Sequence, residues 1–193
     1  PRGGDYQNKI HHLILAHKTT PGDTVDIGCG NGNLIIQVAK SDRSSAHLGL
    51  DYWGKNWEYS IGQCQVNARI EGAGNVEFVK ASAARTGLEN ESYQYVVSCL
   101  TFHEVRDQPD TAKVVAEALR VLKPGGTYIF VDLFDDNRHY PSVHEIVKTI
   151  ELAGCTISTD APLSGLMSLP FPLNDKNALR YARLMSGEKS ITV

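Results

Sequence analysis

Two carboxylates on either side of a run of alternate glycines are the residues of this chain best suited to do chemistry. Val25-Asp26-Ile27-Gly28-Cys29-Gly30-Asn31-Gly32-Asn33-Leu34 passes from a short apolar run through an acid into three glycines, and a helical pattern begins at once. Glycine serves where the backbone must take positive φ, or where a ligand comes too close for a Cβ. The helix start behind the turn offers unpaired N–H groups and a partial positive charge. About twenty residues on, Asp51 ends the run Ala46-His47-Leu48-Gly49-Leu50, where a ribose-binding carboxylate is expected. Its two oxygens suit the two ribose hydroxyls.

The spacing narrows the ligand. A dinucleotide turn reads G-x-G-x-x-G, but Asn33 stands where its third glycine would be. Asp26 would repel a pyrophosphate and suit a cationic amino group. A nucleoside carrying positive charge therefore fits better than NAD. An NAD-dependent oxidoreductase would share Asp51, yet Asp26 and Asn33 speak against it.

A second segment with chemical potential is Ser98-Cys99-Leu100-Thr101-Phe102-His103-Glu104-Val105, which follows an apolar run from Tyr93. His103 is the best general base, because imidazole titrates near neutrality, with Glu104 beside it. The alternative is that His103 only hydrogen-bonds the sheet or the ligand's tail. Asp135, Asp136, His139, Tyr140 and His144 form no recognised metal-ligand spacing and read as a polar rim. The four cysteines (Cys29, Cys64, Cys99, Cys155) are scattered without a C-x-x-C pair, so reduced thiols and no metal are expected.

These residues need a frame, and apolar runs alternating with helical stripes supply one: an α/β parallel sheet. Residues 5–17 carry a helical stripe at Tyr6, Ile10, Leu13 and Ile14, read as a solvated leading helix (1–20) over the ligand cleft. Leu34, Ile35, Val38 and Ala39 follow the glycine turn, and Trp57 opens a stripe through Ile61, Cys64 and Ala68. Later strands are expected at Val76–Ser82, Tyr93–Leu100, Thr127–Phe134, Cys155–Thr159 and Leu179–Leu184. Between the last two, residues 161–176 read as a long irregular stretch. Helices are expected from Asp110, and from Val143 to a stop at Gly154.

At 193 residues, with 41% hydrophobic content and a net charge of −3, the chain suits a single domain over 1–193 and shows no electrostatic footprint for nucleic acid. No run is long enough to span a membrane. A cytoplasmic or cytosol-facing place is expected, with membrane attachment only through a segment upstream of Pro1.

Asp26 with Gly28, Gly30 and Gly32 resembles motif I, D/E-x-G-x-G-x-G, of the class I S-adenosylmethionine (SAM) methyltransferases. Arg120-Val121-Leu122-Lys123-Pro124-Gly125-Gly126 is similar to their helix stop before strand five. The likeness is greatest to the small ubiquinone/menaquinone-biosynthesis type. It implies a Rossmann-like seven-stranded sheet of order 3-2-1-4-5-7-6, strand seven antiparallel, flanked by helices in three layers. It implies SAM as cofactor and S-adenosylhomocysteine as product. Cys29 joins the glycines in the cofactor turn, Tyr52 and Trp53 meet the adenine face, and Ser82 and Ala83 meet its edge. Ser82 stands where relatives carry Asp or Asn. Cys99 and Leu100 line the pocket beside the sulfonium. The implied reaction is in-line methyl transfer to a small acceptor. Trp53, Trp57, Phe102, Phe134 and Tyr140 suggest an apolar or aromatic one. A non-catalytic SAM-binding partner protein would share the whole cofactor half.

Overall fold

The computed structural model describes residues 3–54 and 59–191; Trp57 lies outside them. The leading helix α1 spans Gly3–Ala16 and feeds β1, Thr24–Ile27. Crossovers follow through α2 (Asn33–Ser41), β2 (His47–Asp51), α3 (Ile61–Ile70), β3 (Val76–Lys80) and β4 (Tyr93–Cys99). Then come α4 (Thr111–Arg120), β5 (Leu122–Asp132), α5 (Val143–Leu152), β6 (Thr159–Pro162), the single turn α6 (Leu163–Leu166) and β7 (Arg183–Glu188).

One sheet results, of order β3-β2-β1-β4-β5-β7-β6. β1 to β5 run parallel, and β7 runs antiparallel to both β5 and β6. Both faces are covered, as period-2 alternation requires. Val25, Ile27, Val96, Tyr128 and Phe130 pack with α4 and α5 on one face. Val97, Ile129 and Val131 pack with α1, α2 and α6 on the other. The strand order reverses direction between β1 and β4, so their carboxyl ends border the crevice where open α/β sheets bind ligands.

Several boundaries differ from expectation. Lys123 to Gly126 belong to β5 rather than to a stop before it, because the β4–β5 register shifts between Tyr93 and Tyr95 to absorb them. β5 also ends at Asp132, two residues early. The final two strands begin later than the sequence suggests. Residues 156–158 already bond along β7, with Thr156 N–H to Glu188 O at 2.8 Å and Ser158 N–H to Ser186 O at 2.8 Å, but regular pairing starts only at Thr159. Residues 161–176 are not an irregular connection throughout: β6 and α6 occupy their start, and the fully buried Leu163 anchors them beside Ile10 and Ile14. Nor is α1 solvated all round. Its inner face buries Ile10, His11 and Ile14, and burial lowers the His11 pKa to about 4, with His12 adding to the effect.

Helix ends follow the chemistry of their residues. Asp110 caps α4 by accepting from Ala112 N–H, and Ser142 caps α5 by accepting from Glu145 N–H. Gly154 takes φ 74° just beyond α5, and the N–H of Cys155 returns to Ile150 O at 3.1 Å, the left-handed stop expected of glycine there.

Candidate cofactor and methyl-transfer site

The glycine turn is held by its neighbours in space. Gly28 and Cys29 N–H both donate to Leu50 O, at 2.7 and 3.0 Å, tying the turn to the end of β2. Gly28 sits at φ 80°, and a Cβ there would meet Thr101 at 2.1 Å. Gly32 takes φ 81° at the start of α2 and contributes no capping side chain. Backbone therefore lies bare where a side chain would otherwise stand.

Asp51 reaches into this turn. Its carboxylate accepts from Gly30 N–H and from Trp53 N–H, each at 2.9 Å. One bond per oxygen leaves lone pairs for further donors. Trp53, at φ 38°, is buried and donates its indole N–H to Gly30 O at 2.8 Å. It thus braces the turn, while its neighbour Tyr52 is 59% exposed. Cys64 Sγ bonds the same carbonyl at 3.2 Å. The Cys64 contact and then burial push the Cys29 thiol far up, so Cys29 is neutral packing in the turn. On the adenine-edge turn, Ser82 Oγ accepts from Ala84 N–H at 3.0 Å and Ala83 is buried.

Among the described residues, Asp26 is the one acid that is buried, at 1% exposed, with neither carboxylate oxygen in a hydrogen bond of normal geometry. Burial and then the charge of Asp51 raise its pKa to about 8, with the Ile35 amide pulling weakly back. An unpaired buried carboxyl is costly, and a cation presented to it restores the charged form. A positively charged nucleoside amino acid fits this carboxyl, the bare glycine backbone and the lone pairs of Asp51 together.

Across the crevice, β4 ends at Cys99 in a strained turn. Leu100 takes φ 56° and donates to Val131 O at 2.7 Å; strain of this kind gathers at functional sites. Burial raises the Cys99 thiol out of reach of ionisation. The short helical turn Phe102–Glu104 follows, and His103 donates or accepts through Nδ1 to Asp132 Oδ1 at 2.6 Å. His103 Nε2 lies 3.5 Å from Glu104 Oε1. Asp132, absent from the residues singled out above, is the missed member of the site. Its signal was present: like Asp51, it is an acid that closes an apolar strand.

Some expected residues face elsewhere. Phe102 packs edge-on to Phe130, with ring centroids 5.1 Å apart, and Phe134 packs against Tyr140. All three are fully or almost fully buried, so they are core and carry no information on an acceptor. Tyr140 is not at a rim. Asp136 pairs with Arg138 and Asp135 with Arg183. Among the described residues, no group of three side chains is arranged to hold a metal ion, and no helix is long and apolar enough to cross a membrane.

Comparison with known proteins agrees with this geometry. The family described as Methyltransferase domain matches residues 25–130, more than half of the chain. The chain is 33% identical over 122 residues to the ubiquinone/menaquinone biosynthesis C-methyltransferase of Brucella anthropi, a match covering 61% of this chain and 43% of that protein. The chain thus spans less than half the length of this relative. Among solved structures, the [4+2]-cyclase SpnF superposes with a TM-score of 0.71 at 14% identity, covering 95% of this chain and 81% of the other. A geranyl diphosphate C-methyltransferase from Streptomyces coelicolor, solved with Mg²⁺, geranyl diphosphate and S-adenosylhomocysteine, gives 0.70 at 15% identity, covering 95% and 79%. At such identities these two report fold alone.

Proposed function

Because the chain belongs to the methyltransferase-domain family, the class I fold that uses S-adenosylmethionine, we propose that it transfers a methyl group from SAM to a small, apolar acceptor. When bound, the cofactor supplies an electrophilic methyl group on sulfur, open to in-line displacement. The observation that carries the reading is the bare, buried carboxyl of Asp26 on β1, close enough to Asp51 to feel its charge.

Each residue has a task. Asp26 receives the cationic amino acid end of the cofactor, and Gly28, Cys29, Gly30 and Gly32 let it approach the backbone. Asp51 accepts the ribose hydroxyls while remaining anchored to Gly30 and Trp53. Tyr52 offers an aromatic face and Ser82-Ala83 a polar edge to the adenine. Cys99 and Leu100 line the methyl end. His103 takes the acceptor's proton, with Glu104 adjacent. Holding the two reactants in line contributes up to ~7–11 kcal/mol to such reactions.

In this reading α1 covers the cofactor cleft. A groove of about 410 Å³ over α2 is lined by Asn8 and His12 of α1 together with Asn31, Asn33, Gln37 and Asn67. The apolar character of the acceptor draws support from the quinone-biosynthesis relative, since Trp53, Phe102, Phe134 and Tyr140 are buried.

Calorimetry with SAM, S-adenosylhomocysteine and NAD tests the cofactor half, with the first two binding and NAD not. Methyl-labelled SAM offered with quinols, phenols, thiols and amines tests the transfer. Label in a quinol or phenol is the expected result. SAM binding without label in any acceptor would reduce the protein to a cofactor-binding partner.

A further inference from the structure

A short, part-buried contact joins His103 to Asp132. Asp132 is wholly buried, and its four acceptor positions are filled from one side of the crevice. Oδ2 accepts the N–H groups of Thr101 and Phe102 at 2.9 and 2.8 Å. Oδ1 accepts Leu133 N–H at 2.7 Å and meets His103 Nδ1 at 2.6 Å. Three backbone amides hold this carboxyl group in one orientation, with every one of them donating to it. The imidazole must therefore be the donor, through Nδ1–H.

We infer that Asp132 is the positioning residue of the site, holding His103 as its Nδ1–H tautomer so that Nε2 presents a lone pair to the proton of the methyl acceptor. This rests on the methyl-transfer reading above. In the step, the acceptor's X–H bond breaks and its proton passes to Nε2. The freed electron pair forms the bond to the methyl carbon, and the carbon–sulfur electrons stay on sulfur, leaving neutral S-adenosylhomocysteine. The imidazolium is then stabilised by Asp132 and later gives its proton to water. No oxidant or metal enters the balance.

The groups around the ring set its titration. Burial lowers the His103 pKa, but the Asp132 hydrogen bond and charge, with the charge of Glu104, outweigh it, and Arg106 opposes only weakly. The net shift is upward from 6.5. His139 faces the ring at 5.2 Å from the loop after β5. The Tyr140 hydroxyl, buried near Asp132, is pushed up by that burial first and by the Asp132 charge second. It stays neutral throughout.

The test uses protein saturated with S-adenosylhomocysteine, so it needs no acceptor. Imidazole ¹⁵N spectra should show His103 as the Nδ1–H tautomer, titrating above 6.5. In Asp132→Asn the amide turns N–H toward Nδ1, the tautomer should switch to Nε2–H, and the pKa should fall by about one unit or more. An Nε2–H tautomer in the unmodified protein overturns the inference, and that spectrum decides alone if the variant does not fold. An unchanged tautomer and pKa in a folded variant overturns it equally. With a quinol that the protein methylates, His103→Gln and Asp132→Asn should each lower kcat by about 10²-fold or more at unchanged SAM affinity. The acid limb of kcat should move to lower pH in Asp132→Asn, a change that mere loosening of the Thr101–Phe102 turn would not produce. Full turnover by His103→Gln overturns the role of the pair. A protein that binds S-adenosylhomocysteine and shows the Nδ1–H tautomer, yet methylates nothing, instead defeats the methyl-transfer reading.

Discussion

Asp26 and Asp132 lie at the same end of one sheet, on β1 and β5 with β4 between them, and both carboxyl groups are out of solvent. Their surroundings are opposite. Asp132 meets three backbone N–H groups and an imidazole, whereas Asp26 meets no partner of normal geometry. A buried acid satisfied by the chain stabilises the chain, and a bare one lowers its stability. The first is part of the frame that aims His103. In the proposed function, the second is a cost the fold carries for a ligand's charge.

The comparison can be broken most forcefully at Asp132. Asp132→Ala strips the acceptor from three backbone donors at once and should cost about 3–9 kcal/mol, at 1–3 kcal/mol for each unmet donor. Urea unfolding measures it; a loss under about 1 kcal/mol would mean that the carboxylate does not hold the turn.

Asp26→Asn should behave in the other way. The folded pKa of Asp26 lies above its ordinary 3.8, at about 8, so folding favours the protonated form. Stability attached to this group is present below the ordinary value and is lost as pH rises toward 8. Unfolding curves for the wild type should therefore weaken across that window, and the Asn variant should lack the slope due to Asp26. At pH 7 most of that window has been crossed, so the Asn variant, which carries no ionisation cost, should be the more stable protein, while binding SAM about 100-fold more weakly, roughly 2.7 kcal/mol. Equal affinity in the two proteins would separate Asp26 from the cofactor.

The smallest effect is expected at the brace. Trp53→Phe keeps the ring but deletes the bond to Gly30 O, and should cost about 1 kcal/mol with a modest loss of affinity. A thermal shift larger than that of Asp132→Ala would put the weight of the site on the wrong side of the crevice.

The glycine turn was legible because its residues are close in sequence and their types are demanded by local geometry. Asp26, the three glycines and Asp51 sit on one strand–turn–helix–strand unit, and positive φ at Gly28, Gly30 and Gly32 is what their spacing foretold. The α/β parallel sheet was legible in the alternating strand and helix patterns, whereas the strand order was implied by the family resemblance. Asp132 was hidden by a boundary. The apolar run appeared to continue to Phe134, which drew attention to Asp135 and Asp136, and only the strand's end at Asp132 sets that carboxylate under the β4 turn. Phe102 and Tyr140 were misread because burial of an aromatic ring next to polar neighbours is decided by packing from α4 and α5, which no local pattern reports. The last two strands slipped because Thr156 to Ser158 pair irregularly before the ladder settles.

The central claim is that Asp26 holds a proton in the free protein and gives it up to a cationic cofactor. Calorimetry of SAM binding at pH 7 in two buffers of different ionisation enthalpy measures the proton directly. The account predicts release approaching one proton per SAM bound, with affinity rising from pH 6 to 8 by up to about tenfold per unit, and loss of that release in Asp26→Asn. Binding with no proton released, at an affinity the Asn variant matches, would contradict it.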